Sequence, residues 1–136
     1  MRVLVVDDSK IVCDGLQQML INIAGVEIVG QAHNAQEAIA SISEAKPDVV
    51  ILDIRLPGLS GIDVLKDIRA KKLSCRVIML TNYPYPQYRK KCKELGADYF
   101  FDKVTEIEEI PKVIEELAKN HGYKTQSKLR GIIPSA

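Results

Sequence analysis

Three short runs of aliphatic residues alternate with longer amphipathic segments along the chain. The runs cover residues 3–6, 49–52 and 77–80 and consist of valine, leucine, isoleucine and one methionine. Because they do not alternate with polar residues, they are typical of strands that are covered on both faces. Two weaker runs, at 26–32 and 99–101, predict two further strands.

A segment with apolar residues at helical spacing follows each predicted strand. The five stripes are Val12, Leu16, Met19, Leu20 and Ile23; Ala35, Ala38, Ile39 and Ile42; Ile62, Leu65 and Ile68; Tyr88, Cys92 and Leu95; and Ile107, Ile110, Val113, Ile114 and Leu117. Ser9 is expected to cap the first helix, and Asn34 with Glu37 to form a capping box on the second. Gly25 and Gly96 are expected to end the first and fourth helices.

Strand and helix therefore alternate five times, which indicates a parallel sheet with helices on both faces. The length favours a flavodoxin-like, doubly wound α/β fold with strand order 2-1-3-4-5 over a barrel, which needs about twice as many residues. We expect one domain over residues 1–119. Residues 120–136 are mostly polar and are expected to form either a C-terminal tail or a linker toward an absent output domain.

Composition supports an ordinary soluble globule, with 46% hydrophobic and 27% charged residues and a net charge of +1. This balance gives no reason to expect binding to nucleic acid or to a membrane surface. No apolar run approaches the roughly 20 residues of a membrane helix, and no secretory signal is apparent, so we expect a cytoplasmic protein. Cys13, Cys75 and Cys92 show no paired spacing and are expected to be reduced, buried thiols.

Polar residues stand where the predicted strands end. Asp7 and Asp8 follow the first strand, Asp53 the third, Thr81 the fourth and Lys103 the fifth. Ligands of open α/β sheets bind outside the carboxyl ends of the strands, near the point where the strand order reverses. With strands one and three adjacent, the three aspartates should crowd together, with the hydroxyl and the amine close to Asp53.

Three carboxylates in one crevice repel each other, at about 4 kcal/mol per pair for a ~4 Å separation and an effective dielectric constant near 20. They must bind protons or cations, and Mg²⁺ prefers such oxygen ligands. A carboxylate can also attack phosphorus and form an aspartyl phosphate. Mg²⁺, Lys103, the Thr81 hydroxyl and the N–H groups after Asp53 would then stabilise the transferred charge.

With these residues in place, the chain resembles the response-regulator receiver domain of two-component signalling, in the CheY-like superfamily, over residues 1 to about 119. The matching stretches are Val5-Val6-Asp7-Asp8-Ser9, Val50-Ile51-Leu52-Asp53-Ile54-Arg55-Leu56-Pro57, Gly61, Met79-Leu80-Thr81-Asn82 and Gly96-Ala97-Asp98-Tyr99-Phe100-Phe101-Asp102-Lys103. The resemblance implies a phosphoacceptor that assists its own phosphorylation and dephosphorylation and is otherwise not an enzyme.

The resemblance also assigns roles to single residues. It implies that Asp53 accepts a phosphoryl group from a sensor histidine kinase and that Lys103 pairs with that group. It implies that Asp7, Asp8 and Asp53 hold Mg²⁺, together with the backbone carbonyl of Arg55.

Further positions belong to the switch and to the mouth of the site. The resemblance implies that Thr81 is the switch hydroxyl and Phe100 the aromatic switch residue. The mouth is expected to be lined by Ile54, Arg55, Asn82 and Tyr83. The fourth helix, fifth strand and fifth helix would form the signalling face, which controls homodimerisation or an output domain, as in transcription regulation.

Two other functions would account for part of these residues. An enzyme of the haloacid-dehalogenase type also uses an aspartate nucleophile at a strand end, but it needs a second acid two residues later, where this chain has Arg55. A receiver-like scaffold that never takes phosphate would not need the full set of acids, hydroxyl and lysine.

Four basic residues within 89–93 form either a solvated face or a partner surface.

Overall fold

A computed structural model describes the backbone of residues 1–129 and the side chains of residues 1–121. Five strands form one sheet: β1 (Arg2–Val6), β2 (Glu27–Ala32), β3 (Val49–Leu52), β4 (Arg76–Thr81) and β5 (Tyr99–Asp102). All neighbouring strands are parallel, and their order is β2-β1-β3-β4-β5. The predicted topology is therefore confirmed.

Five helices cover the two faces of the sheet: α1 (Lys10–Leu20), α2 (Ala35–Ala45), α3 (Gly61–Ala70), α4 (Pro86–Glu94) and α5 (Glu109–Leu129). Two buried apolar clusters lie on opposite sides, because successive side chains of a strand point to opposite faces. One cluster joins the sheet to α2, α3 and α4, and the other joins it to α1 and α5. No helix within residues 1–129 has the length and hydrophobicity needed to cross a membrane.

The first two helices begin where the sequence predicted. The Ser9 side chain caps α1, and the Asn34 side chain accepts a hydrogen bond from the amide of Glu37 at 2.8 Å. The return bond of the expected capping box is displaced by one residue. The Glu37 carboxylate accepts from the amide of His33 at 2.9 Å, one residue before the cap.

The predicted end of the first helix was wrong. The helix stops at Leu20, with Ile21 as its C-cap, and Gly25 (φ 80°) lies in the loop that leads to β2. A positive φ is the property that makes glycine common after helices, but loops use it as well. Gly96 does follow a helix: it has φ 89° and comes directly after Leu95, the C-cap of α4.

The fifth helix is longer than the sequence pattern indicated. Apolar spacing ends at Leu117, yet α5 continues to Leu129, past the expected domain boundary at residue 119. A polar helix lacks the apolar stripe from which a helix is predicted, so its length could not be seen in the pattern. The remainder of the expected tail, residues 130–136, lies outside the described residues.

Candidate functional site

The parallel pairing of β1 and β3 brings the three aspartates together. Val6 pairs with Leu52, so Asp7 and Asp53 emerge side by side at the carboxyl edge of the sheet. Carboxylate oxygens of Asp7, Asp8 and Asp53 all lie within 4.8 Å of one another. The first and third of these side chains are buried, whereas that of Asp8 is exposed. The predicted acidic cluster is therefore formed.

Lys103 reaches into this cluster from the end of β5. Its Nζ donates to Asp7 Oδ2 at 2.5 Å and to Asp53 Oδ2 at 2.9 Å, with only 9% of the side chain exposed. Burial works against the charged amine, but the hydrogen bonds to the two carboxylates raise the pKa of Lys103. Burial raises the pKa of Asp53, and Lys103 offsets part of this effect. The lysine is therefore a charged partner shared by two acids.

The two oxygens of the Asp53 carboxylate differ in their surroundings. Oδ2 accepts from Lys103, whereas Oδ1 is buried and has no hydrogen-bond partner among the described residues. A buried polar atom without a partner is costly and calls for an explanation such as an ion or a catalytic role. Together, the carboxylates of Asp7, Asp8 and Asp53 offer the oxygen ligands that suit a hard divalent cation.

Thr81 ends β4 at the same edge of the sheet. Leu52 pairs with Met79, which places Thr81 close to the level of Asp53 on the neighbouring strand. The residue is fully buried, and its Oγ1 accepts a hydrogen bond from the amide of Tyr83 at 3.0 Å. Its hydroxyl hydrogen is thus available to an acceptor in the site.

The residues expected at the mouth of the site differ in how exposed they are. Arg55 and Asn82 are exposed, and the Arg55 guanidinium carbon lies 4.1 Å from the ring centroid of Tyr83. Ile54 is different: its side chain is buried in the apolar cluster beneath α2, α3 and α4. Only its backbone can contribute to the mouth, because an isoleucine after a buried strand gains more by packing inward.

One residue that shapes the site carries no reactive group. Gly61, the first residue of α3, donates its amide to the Ile54 carbonyl at 2.6 Å. A Cβ added to Gly61 would lie 1.8 Å from the carbonyl oxygen of Asp53. The sequence motif includes this glycine, but the close approach that requires it becomes visible only in three dimensions.

Two more contacts of the site were not predicted from the sequence. The amide of Ser9 donates to Asp7 Oδ1 at 2.9 Å, so the residue that caps α1 also fixes a carboxylate. The Cys13 thiol donates a hydrogen bond to the backbone carbonyl of Asp7, with the two atoms 3.4 Å apart. The first contact is an Asx turn, which the spacing of Asp7 and Ser9 could have indicated, whereas the thiol contact has no such signal.

Comparison with known proteins identifies the family. The response regulator receiver domain matches residues 3–115, and the chain belongs to this family. The response regulator GacA of Pseudomonas aeruginosa is 29% identical over 122 residues, which are 90% of this chain and 57% of that protein. A cyclic di-GMP phosphodiesterase of Thermotoga maritima is 37% identical over 123 residues, which are 90% of this chain and 32% of that protein.

The same result comes from solved structures. A DNA-binding response regulator of the LuxR family from Staphylococcus aureus is 31% identical, with a TM-score of 0.79 over 86% of this chain and 98% of that chain. The chain spans about half the length of the GacA relative and about a third of the phosphodiesterase. The similarity therefore covers the receiver portion of longer proteins.

Family membership fixes the general nature of the site. A receiver domain is a phosphoacceptor switch rather than a conventional enzyme, which decides against the dehalogenase-type alternative. The pocket formed by Asp7, Asp8 and Asp53 is an acidic triad typical of the Mg²⁺ site of such domains.

Proposed function

We propose that Asp53 is the phosphoacceptor of a two-component system and receives its phosphoryl group from the phosphohistidine of a sensor histidine kinase. The observation that carries the proposal is the buried Oδ1 of Asp53, which finds no hydrogen-bond partner in the part of the chain that the structure describes. A buried, ionised oxygen without a hydrogen bond costs free energy, and a cation or an electrophile that meets it would offset this cost.

Four groups of this chain would hold the metal. They are the carboxylates of Asp7, Asp8 and Asp53 and the backbone carbonyl of Arg55, of which the carboxylates already lie within 4.8 Å of one another. When bound, Mg²⁺ supplies positive charge that stabilises the phosphoryl group during transfer.

The transfer itself needs no further reactant. Asp53 Oδ1 attacks the phosphorus, so that a phosphorus–oxygen bond forms as the bond from phosphorus to the kinase imidazole nitrogen breaks. The electron pair of the broken bond stays on the imidazole nitrogen. Lys103 moves its hydrogen bond from the Asp53 carboxylate to a phosphoryl oxygen, and Thr81 donates its hydroxyl hydrogen to another.

The mouth of the site would control access of water to the product. The guanidinium of Arg55 stacks on Tyr83, and the exposed Asn82 directly precedes Tyr83 in the sequence. In this proposal the stacked pair covers the acyl phosphate and slows its hydrolysis. Substitution of either member of the pair would then shorten the lifetime of the phosphorylated state.

Phosphorylation would be read out on the face formed by α4, β5 and α5. Thr81 is drawn toward the new phosphoryl oxygens, and the half-buried Phe100 changes its packing in response. The altered face then forms a homodimer or contacts an output domain. A DNA-binding relative favours transcription regulation as the output. The proposed location is the cytoplasm, with no direct binding of this segment to nucleic acid or membrane.

Incubation with acetyl phosphate and Mg²⁺, followed by intact mass measurement, tests the proposal. Transfer adds about 80 Da to the wild type and nothing to Asp53→Asn. Asp67→Asn is the matched control, because Asp67 is a half-buried aspartate on α3 that pairs with Lys71 away from the cluster. It should accept the phosphoryl group like the wild type.

Three other results would overturn the proposal. A wild type that gains no mass, even with a small-molecule donor and Mg²⁺, would be a scaffold rather than a phosphoacceptor. Mass gain that persists in Asp53→Asn would place the acceptor elsewhere. Steady release of phosphate over many equivalents without a stable adduct would instead indicate a hydrolytic enzyme.

A further inference from the structure

Helix α4 is held to the domain by little buried surface. Only Cys92 of this helix is buried, whereas α1, α2 and α3 each bury three or more side chains. Its N-cap residue, Tyr85, makes no side-chain capping bond. Because most helical stability in proteins comes from packing of an apolar face, the position of α4 depends strongly on its other contacts.

One of these contacts joins α4 to the proposed switch residue. Arg89 Nη1 donates to the backbone carbonyl of Phe100 at 3.1 Å, and the Arg89 guanidinium carbon lies 4.6 Å from the centroid of the Phe100 ring. The ring is half-buried and packs against the apolar cluster that contains Cys92. A single side chain therefore contacts both the backbone and the ring of Phe100.

We infer that Arg89 is a latch that holds Phe100 in this position and thereby ties α4 to β5. The inference rests on the proposed function, since it concerns the residue proposed to switch on phosphorylation. Arginine suits this task because its planar guanidinium donates hydrogen bonds in its plane and stacks on an aromatic face. Lysine offers a compact charge without that geometry.

The latch lies at the surface, and its two interactions are weak enough for Phe100 to leave its position reversibly. Arg89 is exposed, so its stacking and its hydrogen bond are both weakened by competition with water. If the alternative Phe100 position is populated to a few per cent, the interactions that hold the main position must be weak enough for phosphorylation to shift the balance. Loss of Arg89 should therefore raise the population of the alternative Phe100 position about fivefold without unfolding the domain.

The two phenylalanines of the chain allow a direct measurement. Protein labelled with fluorophenylalanine gives one ¹⁹F signal for Phe100 and one for Phe101, assigned with Phe101→Leu. Phe101 stacks on Tyr99 at a ring distance of 6.0 Å and belongs to the cluster on the other face, so it serves as an internal reference. Addition of Mg²⁺ and beryllium fluoride, a phosphoryl analogue, defines the signal of the switched state in the wild type.

We expect Arg89→Ala to move the Phe100 signal toward the switched position before any addition, while the Phe101 signal stays in place. Arg89→Lys should reproduce most of this shift, because it keeps the charge and loses the planar group. Lys90→Ala removes a charge from the adjacent exposed position of α4 and should leave both signals unchanged.

The inference fails if the Phe100 signal of Arg89→Ala overlays that of the wild type, or if Lys90→Ala moves it equally. Failure of the proposed function looks different. In that case Asp53 gains no mass and the wild-type signal does not respond to beryllium fluoride and Mg²⁺, whereas Arg89→Ala still moves the Phe100 signal and leaves the Phe101 signal in place.

Discussion

Lys103 sets the charge balance of the acidic site, because it is shared by Asp7 and Asp53. Lys103→Met keeps the length of the side chain but leaves both buried carboxylates without their cation. Removal of one partner from a buried ion pair costs about 3 kcal/mol or more, so the free energy of unfolding in urea should fall by about that amount. Mg²⁺ should restore part of it.

Lys112→Met is the matched control for this substitution. Lys112 pairs with Glu109 on the surface of α5 and is 72% exposed, so its loss should change the free energy of unfolding by less than about 1 kcal/mol. If Lys103→Met were as stable as this control, the buried pair would not carry the charge balance described above.

The three cysteines predict a pH-dependent reactivity. Burial raises the pKa of the Cys13 and Cys92 thiols to about 11 and also raises the pKa of Cys75. Because the thiolate is the reactive form, roughly one thiol in a thousand is reactive at pH 8 when its pKa is about 11. Alkylation of the folded protein should therefore be slow at pH 8 and should speed up as the pH rises.

Mass spectrometry of iodoacetamide-treated protein checks this expectation. Cys75 should react first, since 8% of it is exposed while the other two cysteines are fully covered. All three should react rapidly in urea. Equal rates in the folded and unfolded protein would show that burial does not protect these thiols.

The sequence predicted which residues the site contains but not how they are paired. Because parallel strands end at one edge of a sheet, the sequence predicted the proximity of four residues: Asp7, Asp8, Asp53 and Lys103. That Lys103 bridges two carboxylates and leaves Asp53 Oδ1 buried without a described partner depends on side-chain rotamers. Residue spacing carries no information on these rotamers.

At the scale of single elements, the start of α3 depends on Gly61. Gly61→Ala would place a methyl group 1.8 Å from the Asp53 carbonyl oxygen, so the loop after β3 must shift. We expect the free energy of unfolding to fall by at least about 2 kcal/mol and phosphorylation of Asp53 to be lost. Urea unfolding and intact mass measure the two effects separately.

Gly15→Ala is the control, because Gly15 lies within α1 and a Cβ there meets no atom within 4 Å. Alanine is the better helix former by about 0.5–1 kcal/mol, so this variant should gain stability. If the free energy of unfolding falls in Gly61→Ala and rises in Gly15→Ala, the effect of close packing is separated from that of helix propensity. A stable Gly61→Ala variant would contradict the close approach.

Elements were predicted well where burial determines them, and the N-caps Ser9 and Asn34 were also correct, but some other helix ends were not. The residues of β3 coincide with an uninterrupted apolar run, whereas Gly25 suggested a helix end that occurs at Leu20. The true capping box, Ser60 with Asp63 at the start of α3, was not predicted. Caps depend on local backbone angles that several sequences can satisfy, so single residues identify them poorly.

For the whole molecule, metal binding should be visible as added stability. A ligand that binds only the folded state stabilises it by RT ln(1 + [L]/Kd), which is about 1.4 kcal/mol at ten times the Kd. We expect Mg²⁺ to raise the melting temperature of the wild type, and Asp8→Asn to reduce this effect. The effect should fade as the pH falls through the raised pKa of Asp53, because protonated carboxylates bind the ion poorly.

Glu44→Gln removes an exposed acid from the last turn of α2, which is not a member of the acidic cluster, and should leave the Mg²⁺ effect intact. Thermal unfolding with and without Mg²⁺, repeated with Ca²⁺, makes the comparison. An equal loss of the Mg²⁺ effect in Asp8→Asn and Glu44→Gln would indicate general charge screening rather than a site.

The overall topology was predictable because each strand–helix unit repeats one simple pattern. Right-handed crossovers then limit the possible strand orders to a few, and the order β2-β1-β3-β4-β5 is one of them. The length of α5 was not predictable, since its last turns lack an apolar stripe. Global arrangement thus followed from hydrophobic periodicity, while the extent of a polar helix did not.

The position of Lys103 between two carboxylates also has a consequence at low Mg²⁺ concentration. A domain that carries its own internal counter-ion does not need an imported one to stay assembled. Under the proposed function, scarcity of magnesium would leave the domain folded and remove only its ability to accept a phosphoryl group. The supply of the ion would then limit phosphorylation, and the folded domains could be phosphorylated again as soon as the ion returns.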